Sequence, residues 1–253
     1  MRVLITGASR GIGATIAKVF SEKGKFNFAL VARSLESPSH PKLEGSMTQV
    51  MSTIRKNGSD GKMYKCDFTK GEDVEKTIAC AIESLGGLDI LVNNASMLML
   101  NTNPDLKKRD MVHNVNARAT MICIDKSLEA LKKSNGKIIT ISPPIDLSMK
   151  SWISNAPCYT ISKYTMTLAT LGASQHVNAN TLWPRKTIAT AATKMLEASG
   201  VSDRAYSNGR KPEEFAQAVY KIATDNTDSG NMYLDEDVIN MEHSDAPIDL
   251  YVK

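Results

Sequence analysis

The chain begins with the stretch that decides its fold, Arg2-Val3-Leu4-Ile5-Thr6-Gly7-Ala8-Ser9-Arg10-Gly11-Ile12-Gly13. The apolar run 2–6 predicts a buried strand, and Ile16, Val19 and Phe20 predict the apolar face of a helix that extends to about Lys23. A glycine-rich turn between strand and helix lets the backbone approach a phosphate, and the helix N-terminus offers N–H groups and a positive dipole end. The spacing Gly-x-x-x-Gly-x-Gly differs from the commonest dinucleotide fingerprint, so a turn without a ligand is the alternative. Its place at the start of the chain favours a dinucleotide site.

Strands and helices alternate along the rest of the chain. Predicted strands cover residues 26–32, 62–66, 88–92, 137–141, 179–183 and 231–234. Predicted helices cover 47–56, 72–85, 107–134 (one helix or two), 159–171 and 213–224, and residues 142–158 are predicted to be irregular. This alternation, without repeats or a linker, predicts a single-domain Rossmann-type fold, a doubly wound parallel sheet of about seven strands with helices on both faces. We expect one domain over residues 1–253, with its core at about 2–234 and a C-terminal tail at 235–253.

The composition of the chain argues against several classes of protein function. The 253 residues are 42% hydrophobic, which is enough for a sizeable core, and the net charge of +4 comes without a basic run, which argues against nucleic acid. The four cysteines are far apart and predict neither a metal site nor a disulfide framework. No stretch approaches the roughly 18 apolar residues of a membrane span. The start shows no secretory signal, and the end, Tyr251-Val252-Lys253, is not a peroxisomal tripeptide, so we expect an intracellular protein, cytoplasmic by default.

Residues at the ends of the predicted strands indicate which dinucleotide binds. The second strand ends at Arg33, where a carboxylate would select NAD and a cation would accommodate the 2′-phosphate of NADP. Arg10 could face the same phosphate, although both arginines could simply be solvated. Asp67, after the third strand, could bind an adenine amino group or cap the next helix. Asn94, with Asn93 before it, could tie neighbouring backbones together where a cofactor passes.

Tyr159 and Lys163 are the candidate catalytic pair. Four residues apart in a helix, they lie on one face, and an ammonium near a phenol lowers the phenol pKa from about 10 towards the range of a general acid or base. The same spacing also arises by chance on many helices. Asn116, inside a predicted helix, either is buried for a reason or faces solvent, because Asn is a poor helix former.

Taken in order, these motifs resemble those of the short-chain dehydrogenase/reductase family. The matching residues are Thr6 to Gly13, Asp67, Asn93-Asn94-Ala95, Asn116 and Tyr159-x-x-x-Lys163, and the resemblance extends from Arg2 to about Leu234. Within the family, the chain is most similar to the hydroxysteroid dehydrogenase-like group, on the segments 34–43, 141–144 and 182–192. Animal members of that group can carry a sterol-carrier domain after the reductase domain, and we expect residues 1–253 to contain the reductase domain alone.

The resemblance implies a role for each matching residue. Tyr159 would be the acid/base, Lys163 would hold the nicotinamide ribose, and Asn116 would help to hold a water that connects Lys163 to solvent. The cofactor site would comprise Gly7, Ser9, Arg10, Gly11, Ile12, Gly13, Arg33, Asp67 at the adenine, Asn94, Lys163, and Thr190 near the carboxamide. The expected activity is hydride transfer between NADP(H) and a small-molecule carbonyl or alcohol, by a homo-oligomer without a metal.

Several positions depart from the family pattern. Pro143 stands where the family has its catalytic serine, which leaves Ser142 as the nearest substitute and Ser148 as a further one. Pro184-Arg185 replaces a Pro-Gly, and the connection 172–178 is short. An NADP(H)-binding regulator or scaffold without dehydrogenase activity is therefore the alternative. Two apolar sets could contact a lipophilic ligand or simply pack: Ile145, Leu147, Met149, Trp152 and Ile153, and a lid with Met195 and Leu196.

Overall fold

The computed structural model describes residues 1–36 and 43–239. In these ranges seven strands form one sheet: β1 (Arg2–Thr6), β2 (Asn27–Ala32), β3 (Asp60–Lys65), β4 (Ile90–Asn93), β5 (Lys137–Ile141), β6 (Asn178–Trp183) and β7 (Met232–Leu234). The strand order is β3-β2-β1-β4-β5-β6-β7, and every pairing is parallel. The order reverses between β1 and β4. In open parallel sheets this reversal creates a crevice at the carboxyl ends of the strands, where ligands bind.

Helices cover both faces of the sheet. They are α1 (Gly11–Lys23), α2 (Met47–Lys56), α3 (Gly71–Leu85), α4 (Leu106–His113), α5 (Ala119–Ser134), α6 (Lys150–Asn155), α7 (Pro157–Ala173), α8 (Ala191–Ala198), α9 (Pro212–Thr224) and α10 (Asp235–Ile239). Helix α1 packs against α2 and α9, whereas α5 packs against α3 and α7. The doubly wound parallel sheet predicted from the sequence is confirmed. No helix in the described ranges is long and apolar enough to cross a membrane.

Two hydrophobic cores lie on opposite faces of the sheet because side chains of a strand alternate in direction. Val3 and Ile5 of β1 enter the core beneath α1, α2 and α9, and Leu4 between them enters the core beneath α3 and α5. In β2, Phe28 and its neighbours alternate in the same way. Strands buried on both faces explain why the sequence shows continuous apolar runs.

The structure corrects several predicted elements. Residues 142–158 are not wholly irregular, because they contain the short helix α6 and the start of α7. The edge strand β3 begins at Asp60, before the predicted start, because its pairing with β2 already begins at Asn27 and Asp60. Helix α8 was not predicted, and helix α10 occupies the start of the segment predicted to be a tail. The rest of that segment, 240–253, and residues 37–42 lie outside the described residues.

The predicted helix 107–134 is continuous but contains a π-helical turn. Residues Asn114–Arg118 form the π turn between α4 and α5. Single π turns in α-helices are frequent at functional sites. Asn116 lies within this turn and is fully buried.

Candidate active site

The glycine turn after β1 is shaped by contacts with the end of β4. Gly7 and Gly11 have φ of +69° and +53°, a region that favours glycine. Asn94 Nδ2 donates to the carbonyl oxygens of Thr6 (2.9 Å) and Gly7 (3.3 Å). The Thr6 hydroxyl in turn accepts from the backbone N–H groups of Asn94 and Ala95, each at 3.0 Å. Asn94 therefore ties the β4 end to the turn, as its position at a strand end predicts.

The start of α1 suits an anionic group. Its N-cap residue, Arg10, makes no side-chain cap, and the first turn contains no acidic residue. A helix N-terminus of this kind attracts phosphate through its N–H groups and its dipole. Thr190 faces the turn, because a Cβ built on Gly11 would lie 3.7 Å from Thr190 Cγ2. Ser9 is buried within the turn, and Ile12 packs against the core. The residues present therefore fit a dinucleotide pyrophosphate.

Arg10 and Arg33 form a positively charged pair. Burial, and to a smaller extent the positive charge of Arg33, lower the pKa of Arg10. Gly45 backs Arg10, since a Cβ there would lie 2.8 Å from Arg10 Cβ. Two adjacent guanidiniums make a favourable site for a dianion.

Asp67 forms a local turn ahead of α3. Its Oδ1 accepts from the Thr69 backbone N–H (3.1 Å) and hydroxyl (2.8 Å), while Lys70 is the N-cap of α3. Burial acts to raise the pKa of Asp67, but the Thr69 hydrogen bonds and the charges of Lys70 and Arg33 together lower it. Asp67 thus stays ionised beside Arg33.

Tyr159 and Lys163 lie on α7, and both are buried, with exposed fractions of 6% and 2%. Lys163 Nζ donates to the Ile141 carbonyl at the end of β5 (2.5 Å) and lies 5.1 Å from the centroid of the Trp183 ring. Burial lowers the pKa of Lys163 to about 7. The candidate catalytic pair therefore lies at the carboxyl edge of the sheet, two strands from the glycine turn.

Asn116 joins three parts of the site. Its Oδ1 accepts from the Met97 backbone N–H (2.7 Å), and its Nδ2 donates to the Met97 carbonyl (3.1 Å) and to the Ser162 hydroxyl (2.9 Å). Because both N–H donors of the amide are used within the protein, its amide N–H groups are not available for a water. The buried alternative for this residue is confirmed.

The surroundings of Tyr159 are apolar. Tyr159 packs with Met99, Val112 and Ala156, and this cluster is completed by partly buried Met97, Leu98, Leu100 and Cys158. The run Met97-Leu98-Met99-Leu100 begins three residues after Asn94, and this apolar signal in the sequence was missed.

The predicted apolar set at 145–153 does not form one lining. Trp152 is buried in the main core and Met149 packs against it, whereas Leu147 and Ile153 are 72% and 39% exposed. In the predicted lid, Leu196 packs against the core and Met195 is 38% exposed.

The sequence and structure comparisons agree on one family. The sequence model of the short chain dehydrogenase family matches residues 1–201. The chain belongs to the short-chain dehydrogenase family.

Among individual proteins, it is similar to hydroxysteroid dehydrogenase-like protein 2 of Xenopus laevis, with 37% identity over 250 residues, 95% of this chain and 58% of the relative. The human protein of that name is 35% identical over 250 residues, 95% of this chain and 57% of the relative. The chain thus spans little more than half the length of these relatives. The resemblance to the hydroxysteroid dehydrogenase-like group is confirmed.

Solved structures agree with this assignment. A short chain dehydrogenase from Mycobacterium thermoresistibile aligns with a TM-score of 0.84 and 34% identity, over 100% of this chain and 95% of that one. A short chain dehydrogenase from Burkholderia cenocepacia, solved with NADP, aligns with a TM-score of 0.75 and 23% identity, over 92% of this chain and 95% of that one. The second likeness shows the fold alone.

In this chain the hydroxyl next to the family's serine position, that of Ser142, is enclosed within the protein. The Ser142 hydroxyl is fully buried and lies 2.9 Å from the Thr167 hydroxyl, which also lies 2.7 Å from the Pro143 carbonyl oxygen. Thr167 is two helical turns beyond Tyr159 on α7, roughly 12 Å along the axis at 1.5 Å per residue. The Ser142 hydroxyl is therefore engaged by Thr167 in the interior, and its role as a substitute serine stays a prediction. Ser148 is exposed and bonded to Asp146.

Proposed function

We propose that this short-chain dehydrogenase is an NADP(H)-dependent oxidoreductase that acts on a carbonyl or alcohol. The observation that carries the proposal is the placement of Tyr159 and Lys163 at the carboxyl edge of β5, in the crevice that begins at the glycine turn. β5 is two steps from β1 in the sheet. At about 4.8 Å per step, this is roughly 10 Å, within the reach of an extended dinucleotide.

The chain's own residues supply proton transfer and positioning. When bound, the cofactor would supply or accept a hydride at the nicotinamide. Tyr159 would exchange a proton with the substrate oxygen. Lys163, one turn away, would move from its contact with Ile141 to the ribose and favour the phenolate. Asn116 would act by fixing the Met97 loop to α7, rather than by offering amide N–H groups to a water.

The preference for NADP over NAD would come from Arg10 and Arg33. Their mutual charge repulsion is relieved when a 2′-phosphate lies between them, and charge-assisted bonds are stronger than neutral ones. Asp67 lies near Arg33 but has two hydrogen bonds from Thr69 at one oxygen. We propose that it orders this side of the site and lies near the adenine.

The substrate would be lipophilic at the end beside Tyr159. The support comes from Met97, Leu98, Met99 and Leu100, which pack around Tyr159 from the loop after β4. Methionine side chains adapt to ligands of different shape. This loop replaces the segment 145–153 as the expected apolar lining.

A homo-oligomer remains our expectation for the assembly. The support is a set of exposed apolar side chains on two neighbouring helices: Ile161 and Leu168 of α7 and Met121 of α5, at 56%, 58% and 52% exposure. Helices α5 and α7 pack side by side, so these residues can share one surface.

The second candidate is an NADP(H)-binding regulator or scaffold. It is favoured by Pro143, which has no hydroxyl, together with the engagement of Ser142 by Thr167. Losing a group that orients the reacting oxygen commonly costs orders of magnitude in rate without unfolding the protein.

Cofactor titration together with a Tyr159→Phe variant separates these candidates. We expect the wild-type protein to bind NADPH more tightly than NADH, by nicotinamide fluorescence, and to reduce lipophilic aldehydes or ketones. Tyr159→Phe should bind NADPH normally and lose roughly 10²-fold or more in turnover, because general acid catalysis contributes that much.

Tyr220→Phe is the matched control, because Tyr220 packs on Phe20 in a hydrophobic cluster separate from that of Tyr159. NADPH binding without turnover on any carbonyl would favour the regulator. Equal turnover of the wild type and Tyr159→Phe would overturn the assignment of Tyr159, and failure to bind either cofactor would overturn the proposal as a whole.

A further inference from the structure

Four charged side chains meet inside the protein beyond the end of β6. Arg210 contacts Asp235 (Nη1 to Oδ2, 2.6 Å) and Glu236 (Nη2 to Oε1, 2.6 Å). Arg185 Nε lies 2.9 Å from Glu236 Oε2, and the Arg185 backbone N–H donates to Asp235 Oδ1 at 3.0 Å. We call these four residues the ion cluster. Their side chains are 18%, 6%, 0% and 1% exposed for Arg185, Arg210, Asp235 and Glu236.

Burying four charges costs free energy of desolvation, so the ion cluster needs a structural or functional explanation. Removing an ion from water costs several kcal/mol even after relaxation, and a buried ion pair is often no more stable than an apolar replacement. The two guanidiniums and two carboxylates balance in charge, which makes burial tolerable. What the cluster provides over apolar packing is a fixed geometry between chain segments far apart in sequence.

The cluster fixes the segment 185–190, which joins β6 to α8. Arg210 pairs with this segment through its backbone, since its N–H donates to the Thr187 carbonyl (2.7 Å) and its carbonyl accepts from Ala189 N–H (2.8 Å). The Thr187 hydroxyl donates to the Ala205 carbonyl (2.7 Å). Asp235 and Glu236 begin α10, directly after the edge strand β7. The segment is thus held from two sides, by residues around 205–210 and by α10.

The segment ends at the glycine turn. Thr190 is the N-cap of α8, and its methyl group faces Gly11. Further along, Glu197 of α8 accepts from the backbone N–H groups of Tyr206 (2.7 Å) and Ser207 (2.9 Å), which joins α8 to the following loop. Any displacement of 185–190 would carry Thr190 away from the turn.

We propose that the ion cluster is a positioning device that holds Thr190 and α8 against the glycine turn and thereby sets the affinity for the nicotinamide half of the cofactor. This inference rests on the proposed function for its ligand, but not for the contacts that define it. Arg185 occupies the position where the family usually has the glycine of Pro-Gly. Having Arg185 in place of that glycine therefore adds an ionic contact that holds the loop, and it also changes the loop itself.

The test uses the double variant Arg185→Met/Glu236→Gln, which removes one charge of each sign and leaves Arg210 paired with Asp235. Hydrogen exchange of the protein without ligand should show loss of protection in peptides covering 185–198. NADPH should bind about tenfold more weakly, a difference of about 1.4 kcal/mol. The adenosine fragment 2′,5′-ADP, which lacks the nicotinamide, should bind within roughly twofold of wild type.

Two further variants complete the experiment. The surface pair Arg55–Asp60 gives the matched control, Arg55→Met/Asp60→Asn, which should change neither measurement because both side chains are largely exposed. If the double variant fails to fold, Glu236→Gln alone keeps the shape of the side chain and should show the same pattern more weakly.

Unchanged exchange in 185–198 would overturn the inference, and so would equal weakening of NADPH and 2′,5′-ADP, since that pattern indicates a general structural defect. If the wild-type protein bound neither ligand, the proposed function would fail. The exchange result would then still decide whether the cluster holds this segment.

Discussion

The two sides of the crevice are built in different ways. The glycine-turn side centres on one contiguous stretch, Thr6 to Gly13, which forms the strand end, the turn and the helix start, with Asn94 as its main distant partner. The Tyr159 side is assembled from distant residues, such as Lys163 with Ile141, 22 positions apart, and Arg185 with Asp235, 50 positions apart. The first side combines these hydrogen bonds with close backbone approaches that exclude side chains, whereas the second depends on buried polar and charged contacts alone.

This difference explains where variation is tolerated in this member of the family. At Gly7 and Gly13 an added methyl group would collide with neighbouring backbone atoms, so the motif agrees with the family pattern. On the Tyr159 side, Pro143 and Arg185 depart from the pattern, and each is accommodated by neighbouring groups: Thr167 accompanies Pro143, and Asp235 and Glu236 accompany Arg185. Electrostatic and hydrogen-bond networks can be rebuilt with new partners, whereas a close backbone approach cannot.

The largest effect is expected from Gly13→Ala, which breaks the steric side. The new Cβ would lie 2.5 Å from both Asn94 Nδ2 and the Gly7 carbonyl oxygen. Overpacking of this kind typically costs about 1–3 kcal/mol. We expect a lower Tm and loss of NADPH binding, because the turn and the Asn94 contacts must separate. Thermal unfolding and fluorescence titration measure both.

Gly172→Ala is the control for that substitution. Gly172 also lies in a helix, α7, and a Cβ there would meet nothing within 4 Å. Alanine is favoured over glycine in helices by roughly 0.5–1 kcal/mol, so this variant should be as stable as wild type or more so. Normal NADPH binding by Gly13→Ala would show that the turn is not sterically limited.

The pH dependence of stability tests the buried charge of Lys163 on the Tyr159 side. Burial lowers the pKa of Lys163 to about 7 in the folded protein, from 10.5. Between these values the unfolded chain binds the proton and the folded protein does not, so stability rises with pH by about 1.4 kcal/mol per pH unit from this group. Below about pH 7 both states are protonated and the contribution no longer changes.

Lys163→Met should remove this slope. Urea titrations at pH 7 to 9.5 give the free energy of unfolding of each protein. The value for wild type minus the value for Lys163→Met should increase with pH. The exposed lysine variant Lys76→Met should run parallel to wild type across the same range. Parallel curves for wild type and Lys163→Met would mean that Lys163 keeps an ordinary pKa in its buried position.

The same contrast explains how far the sequence alone could go. The sheet, the glycine turn, the strand-end asparagine and the Tyr159–Lys163 pair could be predicted, because each depends on periodicity or on a short motif. Helices α6, α8 and α10 could not, because they are only five to eight residues long and depend on tertiary contacts such as the Thr190 cap and Asp235 with Arg210. The ion cluster could not be predicted for the same reason, because no local sequence pattern indicates that Arg210 is buried.

Arg33→Asp gives the smallest expected effect on the protein and sharpens the comparison on the glycine-turn side. Arg33 is exposed, so stability should change by less than about 0.5 kcal/mol. The ratio of NADPH to NADH affinity should fall roughly 10- to 100-fold, because a charge-assisted bond to the 2′-phosphate is lost and a carboxylate accepts from a free 2′-hydroxyl. Arg204→Asp, at an exposed arginine after α8, should leave the ratio unchanged. An unchanged affinity ratio in Arg33→Asp would leave Arg10 as the contact to the 2′-phosphate. The glycine-turn side would then select its cofactor through a residue within the turn rather than through a residue at the end of β2.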